Sequence, residues 1–165
     1  MKKFLLFFFL IPGISFAGSM KMIGEKGNPN KVDKVIEIKM YDNYFVPSEI
    51  NIKKNQTIKF IVHNHGEFVH EFNIATKEMH LKHQPEMIKM VEYEILLADK
   101  IDKIKMKEIS KKDHSMSHSH ANSVLLEPNK SGEIIWKFNT DSKLEAACNV
   151  PGHYESGMIA KIKSL

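Results

Sequence analysis

The sequence predicts an all-β protein, an antiparallel sandwich of short strands. The first observation is period-two alternation, as in Ile36, Ile38 and Met40, which share one face of a strand with charged residues between them. The second is repetition, because similar short runs recur along the chain with turn residues between them. The third is one long interruption, residues 77–122, which we expect to be an insertion between strands.

Residues 1–17 have the pattern of a secretory signal peptide. Lys2 and Lys3 precede an apolar run over residues 4–11, and the small residues that a signal peptidase reads end at Ala17. The run is shorter than the roughly 20 apolar residues of a bilayer span, which argues against the alternative of an uncleaved anchor. We therefore expect cleavage after Ala17 and a periplasmic protein without a membrane partner.

The remaining chain is long enough for one domain with a hydrophobic core. Residues 18–31, rich in Gly, Asn and Lys, are predicted to be a flexible N-terminal linker. Residues 32–165 are predicted to form one domain that the insertion 77–122 interrupts. Its other inward-facing strand positions are expected to be Ile50, Ile52, Ile58, Phe60, Val62, Phe72, Ile74, Leu125, Ile134, Trp136, Phe138, Leu144, Ala146, Ala160 and Ile162.

The charged residues limit the partners that this protein can have. The formal net charge is +4, and all 24 basic residues are lysines. Specific recognition of bases and bidentate binding of phosphate depend on arginine, so we predict no nucleic-acid partner. The lysines are expected to form a solvated surface, one that would favour an acidic redox partner by electrostatic steering.

The single cysteine, Cys148, is the most informative residue. An exported protein usually pairs its cysteines, so an unpaired one suggests a ligand, a reactive thiol or an intermolecular disulfide. His153 and Met158 follow it at the spacing Cys-x4-His-x4-Met. With one more imidazole, from His70, these residues make the ligand set of a type 1 copper site. The alternatives are zinc, which rarely recruits Met, and a Cys-His nucleophile pair, for which no orienting acid is visible.

Side chains an even number of residues apart on a strand share a face, and this parity tests the ligand set. His70, Cys148 and Met158 each share a strand face with the apolar residues beside them, so all three are expected to point inward at one end of the sandwich. Parity does not test His153, which lies in the loop itself.

Three other polar residues lie near His70 in the sequence. Asn64 has inward parity and is predicted either to hold the ligand loop as an outer partner of the metal site or to be a turn residue before Gly66. His63 and His65 have the opposite parity and are expected to face solvent.

The segments that carry these residues resemble the cupredoxins, the blue copper proteins with a Greek-key sandwich. The pairing of Asn-x-Gly-x-x-x-His-Glu-Phe at residues 64–72 with Ala-Cys-x-x-Pro-Gly-His-Tyr-Glu-x-Gly-Met at residues 147–158 is similar to periplasmic cupredoxins linked to copper tolerance. The spacing of the second segment also resembles that of rusticyanin and auracyanin. The resemblance covers roughly residues 32–75 and 123–165 and leaves the insertion uncovered.

The resemblance implies one redox-active copper ion, Cu(I) or Cu(II), and a role for each ligand. Cys148 would supply the short covalent bond, His70 and His153 would complete the plane, and Met158 would tune the potential. His153, on an exposed loop, is expected to be the electron port, and His70 the more buried ligand.

The sequence of the insertion predicts a helix and a candidate second metal site. Part of residues 85–112 has rough helical spacing of apolar residues, and we expect a helix there that packs outside the sandwich. Methionines in such a pattern are more typical of packing than of metal binding. Two further groups suit a second, weaker copper site, the alternative being a polar linker. They are Met79, His80 and His83 near its start, and His114, Met116, His118 and His120 near its end.

Two functions fit these residues. The first is an exported copper-handling protein that binds or oxidises copper and confers copper tolerance, which the insertion and the resemblance favour. The second is a one-electron carrier between respiratory partners, for which the type 1 site alone suffices. An enzyme is not expected beyond weak oxidation of Cu(I), because Cys148 lacks the flanking histidines of multicopper oxidases. We expect a monomer whose partners are copper ions and, for the carrier, a redox protein.

Overall fold

Two five-stranded β-sheets enclose the main hydrophobic core in the computed structural model, which describes residues 23–165. The strands are β1 (Glu25–Lys26), β2 (Lys34–Tyr41), β3 (Tyr44–Val46), β4 (Glu49–Ile52), β5 (Gln56–Asn64), β6 (His70–Ala75), β7 (Ser123–Leu126), β8 (Ser131–Phe138), β9 (Glu145–Ala147) and β10 (Ile159–Ser164). The first sheet has the order β1-β8-β5-β2-β3 and the second β4-β10-β9-β6-β7. This confirms the predicted all-β sandwich. The signal peptide predicted at residues 1–17 lies outside the described residues.

Most neighbouring strands are antiparallel, as expected, but two pairs are parallel. These are β2 with β5 in the first sheet and β4 with β10 in the second. Parallel pairing arises because the chain leaves one sheet and returns to it. Between β2 and β5, for example, β4 lies in the opposite sheet. Such crossovers are typical of Greek-key connections.

Part of the segment expected to be a flexible linker (residues 18–31) packs against the first sheet. Glu25 and Lys26 form β1, which pairs with Lys137 and Trp136 of β8. Ile23 is fully buried, and its carbonyl accepts a hydrogen bond of 3.0 Å from Trp136 Nε1. The indole N–H needs a partner when it is buried, and this partner fixes the segment to the sheet.

The main core consists of the inward faces of both sheets, largely as the alternation predicts. One position is shifted by a residue: Leu126 faces the main core, whereas Leu125 packs against a second apolar cluster. The reason is the short β7, whose register is set by pairing of Leu126 with His70. The largest fully buried side chains include Trp136, Phe60 and Phe72.

The insertion begins with a helix that is longer and earlier than predicted. It contains α1 (Lys77–Glu92), α2 (Lys103–Ile109) and a short 3₁₀ helix (His114–Ser117). The Thr76 side chain caps α1 by accepting a hydrogen bond of 3.3 Å from the N–H of Met79. This cap starts the helix ahead of Pro85, which therefore lies inside it.

The insertion has a hydrophobic cluster of its own and covers the outer face of β6. Six of its members come from the insertion and one, Val69, comes from the segment before β6. They are Val69, Met87, Met90, Ile95, Leu96, Ile101 and Met116. As a result all six residues of β6 are buried, on both faces of the strand. Among the described residues, the helices are too short or too polar to cross a bilayer.

Candidate metal centre

Three ligand side chains converge at one end of the sandwich. His70 opens β6, Cys148 follows β9, and His153 lies in the loop that leads to β10. The Sγ atom of Cys148 lies 3.3 Å from Nδ1 of His153 and 3.9 Å from Nδ1 of His70. The two Nδ1 atoms lie 3.2 Å apart. The structure thus brings together three of the four residues that the sequence selects, each with a donor atom turned toward the others.

The orientation of His70 is set by Asp42, in the turn after β2. His70 Nε2 lies 2.8 Å from Asp42 Oδ1, so the ring donates its outer N–H there and leaves Nδ1 with a free lone pair. Burial lowers the pKa of His70 although Asp42 opposes this. Burial also lowers the pKa of His153, helped by the neighbouring His70. Both shifts favour the neutral imidazole, the form that binds metals.

Cys148 is fully buried, and burial raises the pKa of its thiol to about 12. Its sulfur accepts a hydrogen bond of 3.3 Å from the backbone N–H of Glu71. This hydrogen bond favours the thiolate and therefore partly offsets the effect of burial.

The loop from Cys148 to Met158 is closed by its own backbone. The N–H of Cys148 donates to the carbonyl of Met158 at 3.2 Å, and the N–H of Met158 donates to the carbonyl of His153 at 3.0 Å. Gly152 has a φ of +88°, a left-handed conformation that favours glycine and lets the chain turn into His153. Met158 is fully buried in the main core, in the same cluster as Cys148. His153 is only half-buried, so His70 is the more buried imidazole.

Asn64 is buried and fully hydrogen-bonded. Its Nδ2 donates to the carbonyls of Phe68 at 2.8 Å and Leu126 at 2.9 Å, and its Oδ1 accepts from the N–H of Gly66 at 2.9 Å. These bonds hold the turn that leads to His70 against β7. His63 and His65 lie on the outer side of the first sheet, and His63 Nδ1 is 2.6 Å from Ser131 Oγ.

The residues selected for a second site separate into two groups. His83, His118 and His120 lie together, with ring centroids 5.3–5.5 Å apart. The others lie apart from them. Met79 packs at the main core, Met116 is buried in the second hydrophobic cluster and His114 is exposed. His80 is buried against the ligand loop, with Nδ1 3.2 Å from Asn149 Oδ1.

The three histidines meet a buried carboxylate that the sequence analysis missed, Glu71. Its Oε1 lies 2.9 Å from His118 Nε2 and 3.4 Å from His83 Nε2. Burial alone would raise the pKa of Glu71, but the two imidazoles hold it well below its usual range. We call Glu71, His83, His118 and His120 the outer cluster. The only sequence signal for Glu71 was its place beside His70, since its parity points away from the core.

The donors of His70, Cys148 and His153 fit copper on chemical grounds. Two imidazole nitrogens and one sulfur converge at a largely buried position, with an orienting carboxylate behind the His70 ring. That is the in-plane donor set that copper takes in a type 1 site. Ligand atoms bound to one ion stand a few ångströms apart, and the three donor atoms already lie within 4.8 Å of one another.

Comparison with known proteins found a family model and relatives that match this chain. The model of the cupredoxin-like domain matches residues 13–100. The copper-resistant cuproprotein CopI of Pseudomonas aeruginosa is 34% identical over 153 residues, which cover 84% of this chain and 80% of that protein. The protein of the same name from Vibrio cholerae is 29% identical and covers 87% of this chain, with 73% of its own length aligned.

Two solved blue copper structures share the fold. Auracyanin from Roseiflexus castenholzii superposes with a TM-score of 0.57 at 18% identity, over 81% of this chain and 98% of its own. Auracyanin B superposes with a TM-score of 0.60 at 12% identity, over 86% and 96%. At this identity the likeness concerns the fold alone.

Proposed function

This chain belongs to the cupredoxin family, and we propose that it binds one copper ion through His70, Cys148 and His153, with Met158 as a weak fourth ligand. Family membership identifies copper as the cofactor. The observation that carries the ligand assignment is the convergence of Cys148 Sγ and the two Nδ1 atoms at 3.2–3.9 Å. No carboxylate belongs to this group of three donors.

The chain's own residues prepare this pocket before any ion enters. Asp42 fixes the ring of His70, and the backbone N–H of Glu71 points at the sulfur. Full burial of His70, Cys148 and Met158 excludes water from the donors. Copper, when bound, supplies a one-electron couple between Cu(I) and Cu(II). A donor set held in one arrangement limits the rearrangement between these states, and here the His70 ring and the Cys148 sulfur are both held by contacts outside the set.

The biological role that we propose is copper handling outside the cytoplasm, as part of copper tolerance. The curated relatives are named copper-resistant cuproproteins, and they align over most of their length with this chain. Export by residues 1–17 is part of this proposal. We propose metal binding and electron exchange for this protein, without turnover of an organic substrate.

Electron transfer between respiratory partners is a second candidate, and one observation favours it. His153 is half-buried while the other three proposed ligands are buried, so its ring is the route from the pocket to the surface. A redox partner that docks over the loop from Cys148 to Met158 would meet this ring first.

The ligand proposal is tested by the visible spectrum. The Cu(II) protein should absorb strongly because of charge transfer from the Cys148 sulfur, in the blue to green range. Cys148→Ser should abolish the band and keep the far-ultraviolet circular dichroism of a β-sandwich. A visible band that persists in Cys148→Ser would contradict the assignment.

The biological role is tested in a deletion strain. Growth in copper, compared with respiration in its absence, separates the two candidates. Copper sensitivity with normal respiration supports tolerance, and a respiratory defect without copper stress supports the carrier. Complementation with wild type and with Cys148→Ser shows whether the phenotype depends on the proposed ligand.

A further inference from the structure

The outer cluster has the composition of a metal site separate from the first one. One carboxylate and three imidazoles come from three parts of the chain: β6, α1 and the segment after the 3₁₀ helix. The donor atoms of Glu71, His83 and His118 all lie within 4.8 Å of one another. The ring of His120 completes a triangle with the other two, at 5.3 Å from His118 and 5.5 Å from His83.

One nitrogen of each ring in this cluster, Nε2, lacks an aligned hydrogen bond. Within the described residues, the Nε2 atoms of His83, His118 and His120 are buried without an aligned hydrogen bond. His118 Nε2 is close to Glu71 Oε1, but the ring does not point its N–H along that line. Glu71 is 0% exposed and the His118 side chain 4%. A buried polar atom without a partner costs about 1–3 kcal/mol, and one shared ion would satisfy all three Nε2 atoms at once.

His83 is oriented in the same way as His70 in the first site. Its Nδ1 lies 2.8 Å from Oε2 of Glu86, one turn along α1. The carboxylate accepts the N–H of Nδ1, so Nε2, which faces Glu71, is the nitrogen that a metal ion would take in exchange for its proton. A carboxylate behind a ring is the usual outer partner of a metal-binding histidine.

The segment that carries the other two histidines is fixed as well. Asp113 caps the 3₁₀ helix by accepting hydrogen bonds from the N–H of Ser115 at 3.2 Å and its hydroxyl at 2.6 Å. Met116 is buried in the second hydrophobic cluster. His118 has a φ of +45°, a left-handed conformation that costs on the order of 1–3 kcal/mol outside glycine and clusters at functional sites.

A purely structural role explains part of this cluster. The carboxylate of Glu71 accepts hydrogen bonds from Asn73 at 3.1 Å and Asn149 at 2.6 Å, and in this account it also pairs with His118 while Glu86 pairs with His83. The account leaves His120 Nε2 without a partner and gives no reason for a third ring.

We infer that the outer cluster is a second metal site, which binds one divalent first-row transition ion through Glu71, His83, His118 and His120. Its donors are nitrogen and oxygen, whereas Cys148 and Met158 make the first site soft. Such donors suit Cu(II) better than Cu(I), and Cu(II) exceeds Zn(II) in the general order of affinity. The site therefore differs from the first in the oxidation state that it favours.

The inference is tested in a background that lacks the first site, the full chain with Cys148→Ser and His153→Ala. Calorimetric titration with Cu(II), and separately with Zn(II), should give one equivalent of either ion, with Cu(II) bound more tightly. The Cu(II) form should show nitrogen couplings in its electron paramagnetic resonance spectrum and no intense visible band. Adding His118→Ala or His120→Ala should weaken Cu(II) binding at least about 10-fold, since even outer partners contribute that much.

The controls separate a built site from surface binding. His114→Ala removes an exposed histidine of the same tract, and His63→Ala with His65→Ala removes the surface pair. Both should leave the affinity unchanged. Circular dichroism checks folding, and His120→Gln replaces any alanine variant that unfolds. Unchanged Cu(II) affinity in the His118 and His120 variants, or an equal loss of affinity in His114→Ala, would overturn the inference. This outcome is independent of whether the first site binds copper.

Discussion

Nε2 of His70 lies 2.8 Å from Oδ1 of Asp42, a residue in the turn that joins β2 to β3 in the opposite sheet. The same carboxylate accepts hydrogen bonds of 3.1 and 3.2 Å from the N–H of Glu67. Burial would raise the pKa of Asp42, but these hydrogen bonds hold it below its usual value, so the group is charged at neutral pH. Asp42 thus connects the ligand ring, the segment before it and the first sheet.

Asp42→Ala should weaken copper binding about 10- to 100-fold, because His70 loses the partner that fixes its ring and tautomer. Competition with a chelator of known affinity measures this. Asp141→Ala is the matched control, since Asp141 is an exposed carboxylate that pairs with Lys54 and should leave the affinity unchanged. Equal affinity in Asp42→Ala and wild type would mean that the contact is incidental.

Asn64→Ala should destabilise the protein by about 3 kcal/mol, because three hydrogen bonds of a buried side chain are lost at once. Chemical denaturation of the metal-free protein measures the free energy of unfolding. Asn51→Ala, an exposed asparagine of β4, should change it by less than about 0.5 kcal/mol. A loss of similar size in both variants would show that the Asn64 bonds contribute little.

His80→Ala should lower stability without reducing the number of copper ions bound. The ring is fully buried, lies 3.2 Å from the Asn149 side chain and packs at a tilt against Tyr154, with 5.6 Å between centroids. Burial lowers its pKa, so it is a neutral packing residue that supports the ligand loop. A loss of about 2–3 kcal/mol is expected from the cavity and the lost hydrogen bonds. The number of copper ions per protein, measured by atomic spectroscopy, should match wild type. The loss of one copper ion per protein would mean that His80 is a metal ligand.

Strand alternation was sufficient to predict where three proposed ligands point. His70, Cys148 and Met158 are all buried, as their parity required, because each lies in or beside a strand with one face on the core. A period-two pattern shows directly which side chains of a strand face the core. The loop residue His153 needed the spacing of its motif, since parity says nothing about a turn.

The same alternation failed for Glu71. Its parity places it on the outer face of β6, and that face is buried only because the insertion covers it. Which surface a distant helix covers is a tertiary property that no local pattern carries. The composition of the tract at 113–120 indicated metal binding but not which histidines meet, because the second hydrophobic cluster and the cap at Asp113 decide that.

Met158→Gln tests the fourth proposed ligand, which is buried in the same hydrophobic cluster as Cys148. A thioether is a weak ligand for Cu(II) and a good one for Cu(I), so Met158 as fourth ligand stabilises the reduced state. Gln substitutes a harder oxygen donor of similar length. The variant should keep its copper and its colour, with a reduction potential lower by at least about 59 mV, a tenfold change in relative affinity.

Met90→Gln is the matched control, because Met90 is equally buried but belongs to the second hydrophobic cluster. Burying an amide there should cost about 1–3 kcal/mol and lower the melting temperature, with the potential unchanged. Voltammetry and a thermal melt on both variants separate ligation from packing. If Met158→Gln behaves as Met90→Gln does, with a lower melting temperature and the wild-type potential, then Met158 only fills the core beneath Cys148.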